Sequence, residues 1–137
     1  MDLSEEMEAL LDQAEETVQQ RLKANGEFQT FALTMSTDSD MPEEISSESK
    51  ELGSAIGEIL EKILPMVKRK ELAATLICCP IPPKQVASEG WQAAMFDIEG
   101  LHHKRAYIVM PYRSRSYGGW EYRPLEFTPG IPQIFPA

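Results

Sequence analysis

The stretch LAATLICC, residues 72–79, does more than any other to limit what this chain can fold into. It runs apolar through consecutive positions, whereas a strand with one wet face alternates apolar with polar residues. Such a run needs cover on both faces and therefore marks a central strand. Pro80, Pro82 and Pro83 follow it and are expected to end it, because proline brings no N–H to the ladder.

The remaining pattern supplies neighbours and covers. Leu3, Met7, Leu10, Leu11, Ala14, Val18 and Leu22 recur at helical intervals with Glu and Gln between them, which predicts an amphipathic helix running to about Ala24. Asp2 with Glu5 forms a candidate capping box, and Asn25-Gly26 suits a left-handed stop. EFQTFALTMS largely alternates and predicts a strand, and TDSDMPEE reads as a loop or a short hairpin with a poor second strand. Leu52, Ile56, Ile59, Leu60, Ile63 and Val67 then predict a second helix, N-capped by the preceding serines. Pro65 is expected to end or kink that helix near Leu64. Gly53 and Gly57, at GxxxG spacing, predict close packing of the helix on a flat neighbour.

In the second half, AAMFDIE and RAYIVMPY flank the polar turn GLHHK and predict a hairpin, and YGGWEYRPLEF predicts a turn at Gly118-Gly119. The last strand must be an edge, since it contains Pro124. Taken together, the order predicts an α+β fold, with two amphipathic helices packed on one face of an antiparallel sheet of four to five strands. With 137 residues the chain is expected to form one domain over residues 1–128. A proline-rich tail, residues 129–137, is expected along the surface with Ile134 and Phe135 docked.

Three segments carry a resemblance: GEFQTFAL after a first helix, AMFDIEGLHHKRAYIVMPY as a strand, turn and strand closing on Pro-Tyr, and a Gly-Gly turn before an aromatic final strand. In these the chain resembles a loosely defined group of small uncharacterised bacterial α+β proteins. Its element order is similar to profilin-like and roadblock-like platforms, whose antiparallel sheets carry helices and serve as docking surfaces. The resemblance implies a bacterial protein and a binding platform, and it implies no activity or cofactor.

Lys and Arg number 13 against 22 Asp and Glu, a formal net charge of −9. The acids gather in SEEMEALLDQAEE and STDSDMPEEISSESKE, a distribution that argues against a nucleic-acid partner, because phosphate binding draws on clustered cations. No apolar stretch approaches the roughly 20 residues that cross a bilayer, and MDLSEEMEAL lacks the basic start of a signal peptide. A cytoplasmic location is expected, with Cys78 and Cys79 as reduced thiols.

Those two cysteines are the obvious candidates for chemistry, yet a strand sends neighbouring side chains to opposite faces. They are expected to be buried structural residues. A thiol-dependent enzyme using Cys78 or Cys79 with His102 or His103 is the alternative. Neither CxxC spacing nor a metal-ligand pattern is present, so no metal or cofactor is expected. Asp97 and Glu99 alternate in one strand and share a face; they are the one carboxylate pair placed for acid–base work, and solvent-facing positions account for them equally.

PYRSRSYGGWEYRP is the one local reversal of charge. Tyr112, Arg113, Arg115, Tyr117, Trp120, Tyr122 and Arg123 combine the residue types enriched at interface hot spots. The function expected from the sequence is a non-catalytic protein-binding module that uses this hairpin to engage a protein partner or a second copy of itself. One version is an immunity or antitoxin-like protein whose acidic surface neutralises a basic partner.

Overall fold

The computed structural model describes residues 3–81, 90–102, 104–131 and 133–135. The element order is α1 (Glu5–Asn25), β1 (Phe31–Ser36), β2 (Glu43–Ser46), α2 (Leu52–Lys68), β3 (Leu72–Ile81), β4 (Gln92–Gly100), β5 (Lys104–Ser114), β6 (Trp120–Tyr122) and β7 (Glu126–Pro129). All pairings are antiparallel, in the order β2-β1-β3-β4-β5-β6 with β7 also on β5. The fold is α+β, as the sequence implies. The sheet has seven strands rather than four or five, because the weak second strand forms and the last strand is broken in two. That break surrounds Pro124, and the register slips by one residue between Tyr112↔Tyr122 and Val109↔Glu126, as an edge strand tolerates.

The helices lie on opposite faces of the sheet, not on one. The cover over α1 joins Met7, Leu10, Leu11, Val18 and Leu22 to Phe31, Leu33, Leu76, Cys78, Phe96, Ile98 and Ile108. The cover under α2 joins Ile59, Ile63 and Val67 to the alternate residues Ala32 and Ile77. Because strand side chains alternate between faces, these memberships put α1 and α2 on either side of β1 and β3. Burying five large α1 side chains at about 2 kcal/mol each is the main force holding that helix to the sheet.

Local chemistry sets the element ends. Ser4, not Asp2, caps α1 by accepting from the Met7 N–H at 3.3 Å, and Asp2 lies outside the described residues. Gly26 closes the helix at φ 76° with its N–H on the Leu22 carbonyl. At the start of α2, Glu51 takes the role expected of the serines, accepting from the Gly53 and Ser54 N–H groups at 3.1 Å each. Pro65 does not end α2, which continues to Lys68. Its missing hydrogen bond falls on the exposed side of the helix, where the Glu61 carbonyl is open to solvent. β3 likewise runs through Pro80 to Ile81, beyond the Phe31↔Cys78 pair that begins β1, so Pro80 sits on a local edge.

Gly53 and Gly57 both face solvent, and a Cβ at Gly57 would meet nothing within 4 Å. The expected close approach occurs elsewhere, between α1 and the sheet at Gly100, where a Cβ would stand 3.0 Å from the Met7 Sδ. The two sites should respond with opposite signs. Gly57→Ala is expected to raise stability by about 1 kcal/mol through helix propensity, and Gly100→Ala to lower it by about 1–3 kcal/mol through overpacking. Urea unfolding monitored by circular dichroism measures both, and equal signs would refute this packing assignment.

Candidate functional site

The β5–β6 hairpin divides its seven candidate residues rather than gathering them. Tyr112 pairs with Tyr122, Arg113 with Glu121 and Ser114 with Trp120, so the aromatics take one face and the cations the other. Tyr112 is buried in the α1 cover, with its ring 6.4 Å from Phe28 and 5.9 Å from Trp120. Burial, together with the nearby Cys78 and Tyr122, pushes its hydroxyl up to about 12. Trp120 and Tyr122 are partly buried against the same core.

On the opposite face, the Arg113 and Arg123 guanidinium carbons stand 4.4 and 4.1 Å from the centre of the Trp91 ring. The Arg113 Nε also donates to Glu121 at 2.9 Å. This is an intramolecular stack on a buried tryptophan, a feature that no local reading of the hairpin contains because Trp91 belongs to the approach to β4. Only the tip is free-standing. Gly118 and Gly119, at φ 99° and 82°, form a turn closed by the Arg115 N–H on the Gly119 carbonyl at 3.0 Å. That turn projects Tyr117, 81 % exposed, with the Arg115 guanidinium 5.8 Å from its ring centre.

The cysteines occupy opposite faces, as strand geometry requires. Cys78 is fully buried in the α1 cover and Cys79 is buried on the α2 side. Burial raises the Cys78 thiol far above its usual range, with Cys79 adding to the rise, and pushes Cys79 up to about 11, with Asp97 adding to that rise. His102 is exposed in the β4–β5 turn, and His103 lies outside the described residues. Cys78 is level with Phe96, and the turn begins beyond Gly100, so roughly 13 Å of strand separates thiol from imidazole. No thiol–histidine pair exists among the described residues, nor any group of three or more His, Cys, Asp or Glu side chains that could hold a metal.

The third candidate differs most from expectation. Asp97 and Glu99 do share a face, but they are not solvent-facing: Glu99 is 0 % exposed. Its Oε1 accepts from three successive backbone N–H groups, of Gln133 at 2.6 Å, Ile134 at 2.7 Å and Phe135 at 3.0 Å. Arg105 sits opposite Glu99 in the hairpin register. It donates to both Asp97 oxygens at 3.0 and 2.8 Å and to the Ile131 carbonyl at 2.7 Å. Its pKa is raised, first by the Asp97 hydrogen bond and further by the charges of Asp97 and Glu99. These residues bind the C-terminal segment, and Phe135 is buried with Ile63 and Val67 of α2. The sequence held a usable signal, since Glu99 and Arg105 are equidistant from the centre of the predicted turn.

Compared with known proteins, the chain matches no family model, no curated sequence and no solved structure. No helix among the described residues is long and apolar enough to cross a membrane.

Two outcomes are expected from this geometry. Glu99→Ala should lower stability by about 2–3 kcal/mol, since it strips one acceptor from three amides, and a melt indistinguishable from wild type would contradict the assigned contacts. The thiols should behave as acids that ionise more readily once unfolded. Their raised folded values mean stability is complete below pH 9 and declines as pH climbs toward 11, the folded value of Cys79. Urea midpoints at pH 8 and 10.5 test the sign, and iodoacetamide should label neither cysteine before unfolding.

Proposed function

We propose that the protein is a non-catalytic protein-binding module of the bacterial cytoplasm whose contact point is the tip of the β5–β6 hairpin. One observation carries this reading: Tyr117 stands 81 % exposed beside Arg115, on a turn held in shape by two left-handed glycines. An exposed aromatic beside a guanidinium group offers large contact area at small entropic cost and planar bonds to carboxylates. The partner is accordingly a protein with an acidic contact surface. Tyr112, Trp120 and Tyr122 support the tip from the core side, and Arg123 supports it through Trp91. The buried, high-pKa thiols favour this reading over a thiol-dependent enzyme. Their reduced state fits the cytoplasm.

A second reading draws on the opposite end of the sheet. Glu5, Glu6, Asp38 and Asp40 line an open concavity of about 620 Å³ beside Met35. Met35 is level with Ala74, Gly100 and Lys104, ten residues or roughly 33 Å from Ser114 at the hairpin tip. A basic partner seated there is the immunity-like version, with net charge −9 in its favour.

Affinity capture with the purified chain separates the two. Arg115→Glu with Tyr117→Ala is expected to reduce partner recovery at least ten-fold while leaving the melt unchanged. Recovery insensitive to the tip but abolished by Asp38→Lys with Asp40→Lys would transfer the function to the concavity. Recovery insensitive to both changes would overturn the module reading.

A further inference from the structure

The polar residues on the α2 face are not explained by the hairpin. One row across β1, β3, β4 and β5 reads Thr34, Thr75, Glu99 and Arg105, on the face that β1 and β3 otherwise cover with Ala32 and Ile77. Glu99 is fully buried, and the Arg105 side chain is only 8 % exposed. Burying such groups costs free energy unless their bonds are met, and here their bonds go to the backbone of another segment. Glu99 receives the N–H groups of Gln133, Ile134 and Phe135, while Arg105 holds the Ile131 carbonyl. The Gly130 N–H reaches the Arg105 carbonyl at 3.0 Å, in a passage so close that a Cβ at Gly130 would stand 2.8 Å from the Tyr107 ring.

Backbone contacts of this kind recognise a bent chain whose successive N–H groups converge on one acceptor, as they do at the bend of Gln133, Ile134 and Phe135. Side-chain identity enters at Phe135, buried in the same apolar cluster as Ile59, Ile63, Val67, Leu72 and Ile77, and at Ile134, partly buried against it. Ile131, 81 % exposed, and Gln133 turn their side chains to solvent while their backbone is held. Among the described residues, Glu99 Oε2 and Thr75 Oγ1, both buried, make no hydrogen bond; Oε2 stands 3.9 Å from the Arg105 Nε, and neither atom is used by the described part of the tail.

We infer that the Glu99–Arg105 row and the α2 wall form a peptide-binding site that the C-terminal segment occupies in cis. Its ligand in trans is a peptide of a partner protein, uncharged and able to take the same bend, with an aromatic residue closing a run of three free backbone N–H groups. The tail is then an intrasteric competitor, and the fraction of time it is undocked scales the apparent affinity for the partner peptide. The site lies apart from the hairpin tip, so it stands or falls independently of the proposed function.

The probe is a fluorescein-labelled peptide of sequence TPGIPQIFPA, residues 128–137, followed by anisotropy against the full chain. Phe135→Ala in the protein weakens the internal competitor, and this variant is expected to bind the probe at least ten-fold more tightly than wild type. Replacing the probe's phenylalanine with alanine, or N-methylating its Ile134 and Phe135 amides, should each weaken binding at least ten-fold. A folded Phe135→Ala variant that binds nothing at about 1 mM probe, or that binds the N-methylated probe equally well, overturns the inference. Should that variant fail to fold, hydrogen exchange on the wild-type chain decides. The Gln133, Ile134 and Phe135 amides must then exchange at least about 100-fold faster than β3 and β4 amides, because the tail opens locally. Exchange together with the core would mean a permanently built-in strap and would end the proposal.

Discussion

Everything in this fold depends on the demand of β3 to be dry on both sides. Its residues from Ala74 to Cys79 are buried without interruption save the partly covered alternation at its ends. One sheet face cannot satisfy such a strand, so one helix must cross each face. α1 takes the face of Leu76 and Cys78, and α2 takes that of Ile77. The strand's position between β1 and β4 follows from the same demand, because only an interior strand has both its ladders and both its faces protected.

The two covers are unequal, and the inequality shapes the second half of the protein. α1, with 21 residues, lies over β1, β3 and β4, whereas α2, with 17, packs mainly on β1 and β3, with Ile45 of β2 at its margin. The α2 face of β4 and β5 is finished by other means. At one end the C-terminal segment lies over Glu99 and Arg105, with its aromatic ring wedged under α2. At the other, Arg113 and Arg123 stack on Trp91. Long cationic side chains and a strap of backbone thus do what a third helix does in larger sheets. Each leaves polar groups within reach of a partner, which an apolar helix face would not.

Charge follows the same long axis. Acidic side chains collect where the start of α1 meets the β1–β2 loop, and arginines collect at the far tip of β5 and β6. A molecule with opposite charge at its two ends orients an approaching partner before contact is made. The tip adds a rigid exposed aromatic to that field, and the concavity adds shape.

Much of this was legible in the chain itself. Heptad-like spacing gave both helices, the turn GLHHK gave the β4–β5 hairpin and its register, and the adjacency of Cys78 and Cys79 gave their separation onto two faces, because strand and helix periods are properties of the local backbone. The unbroken LAATLICC run already required two covers, a requirement stronger than the short connections that pointed to a one-faced arrangement. Tertiary structure alone decided the rest. It chose which face each helix covers, moved the close approach from Gly53 and Gly57 to Gly100, and let α2 pass Pro65 where water could serve the orphan carbonyl. It also turned Glu99 from an ordinary strand acid into the acceptor for three tail amides, 34 to 36 residues away in sequence. Local periodicity fixes what a segment can present to its neighbours, but the neighbour that meets a buried polar group is settled only when distant segments compete to cover the same face.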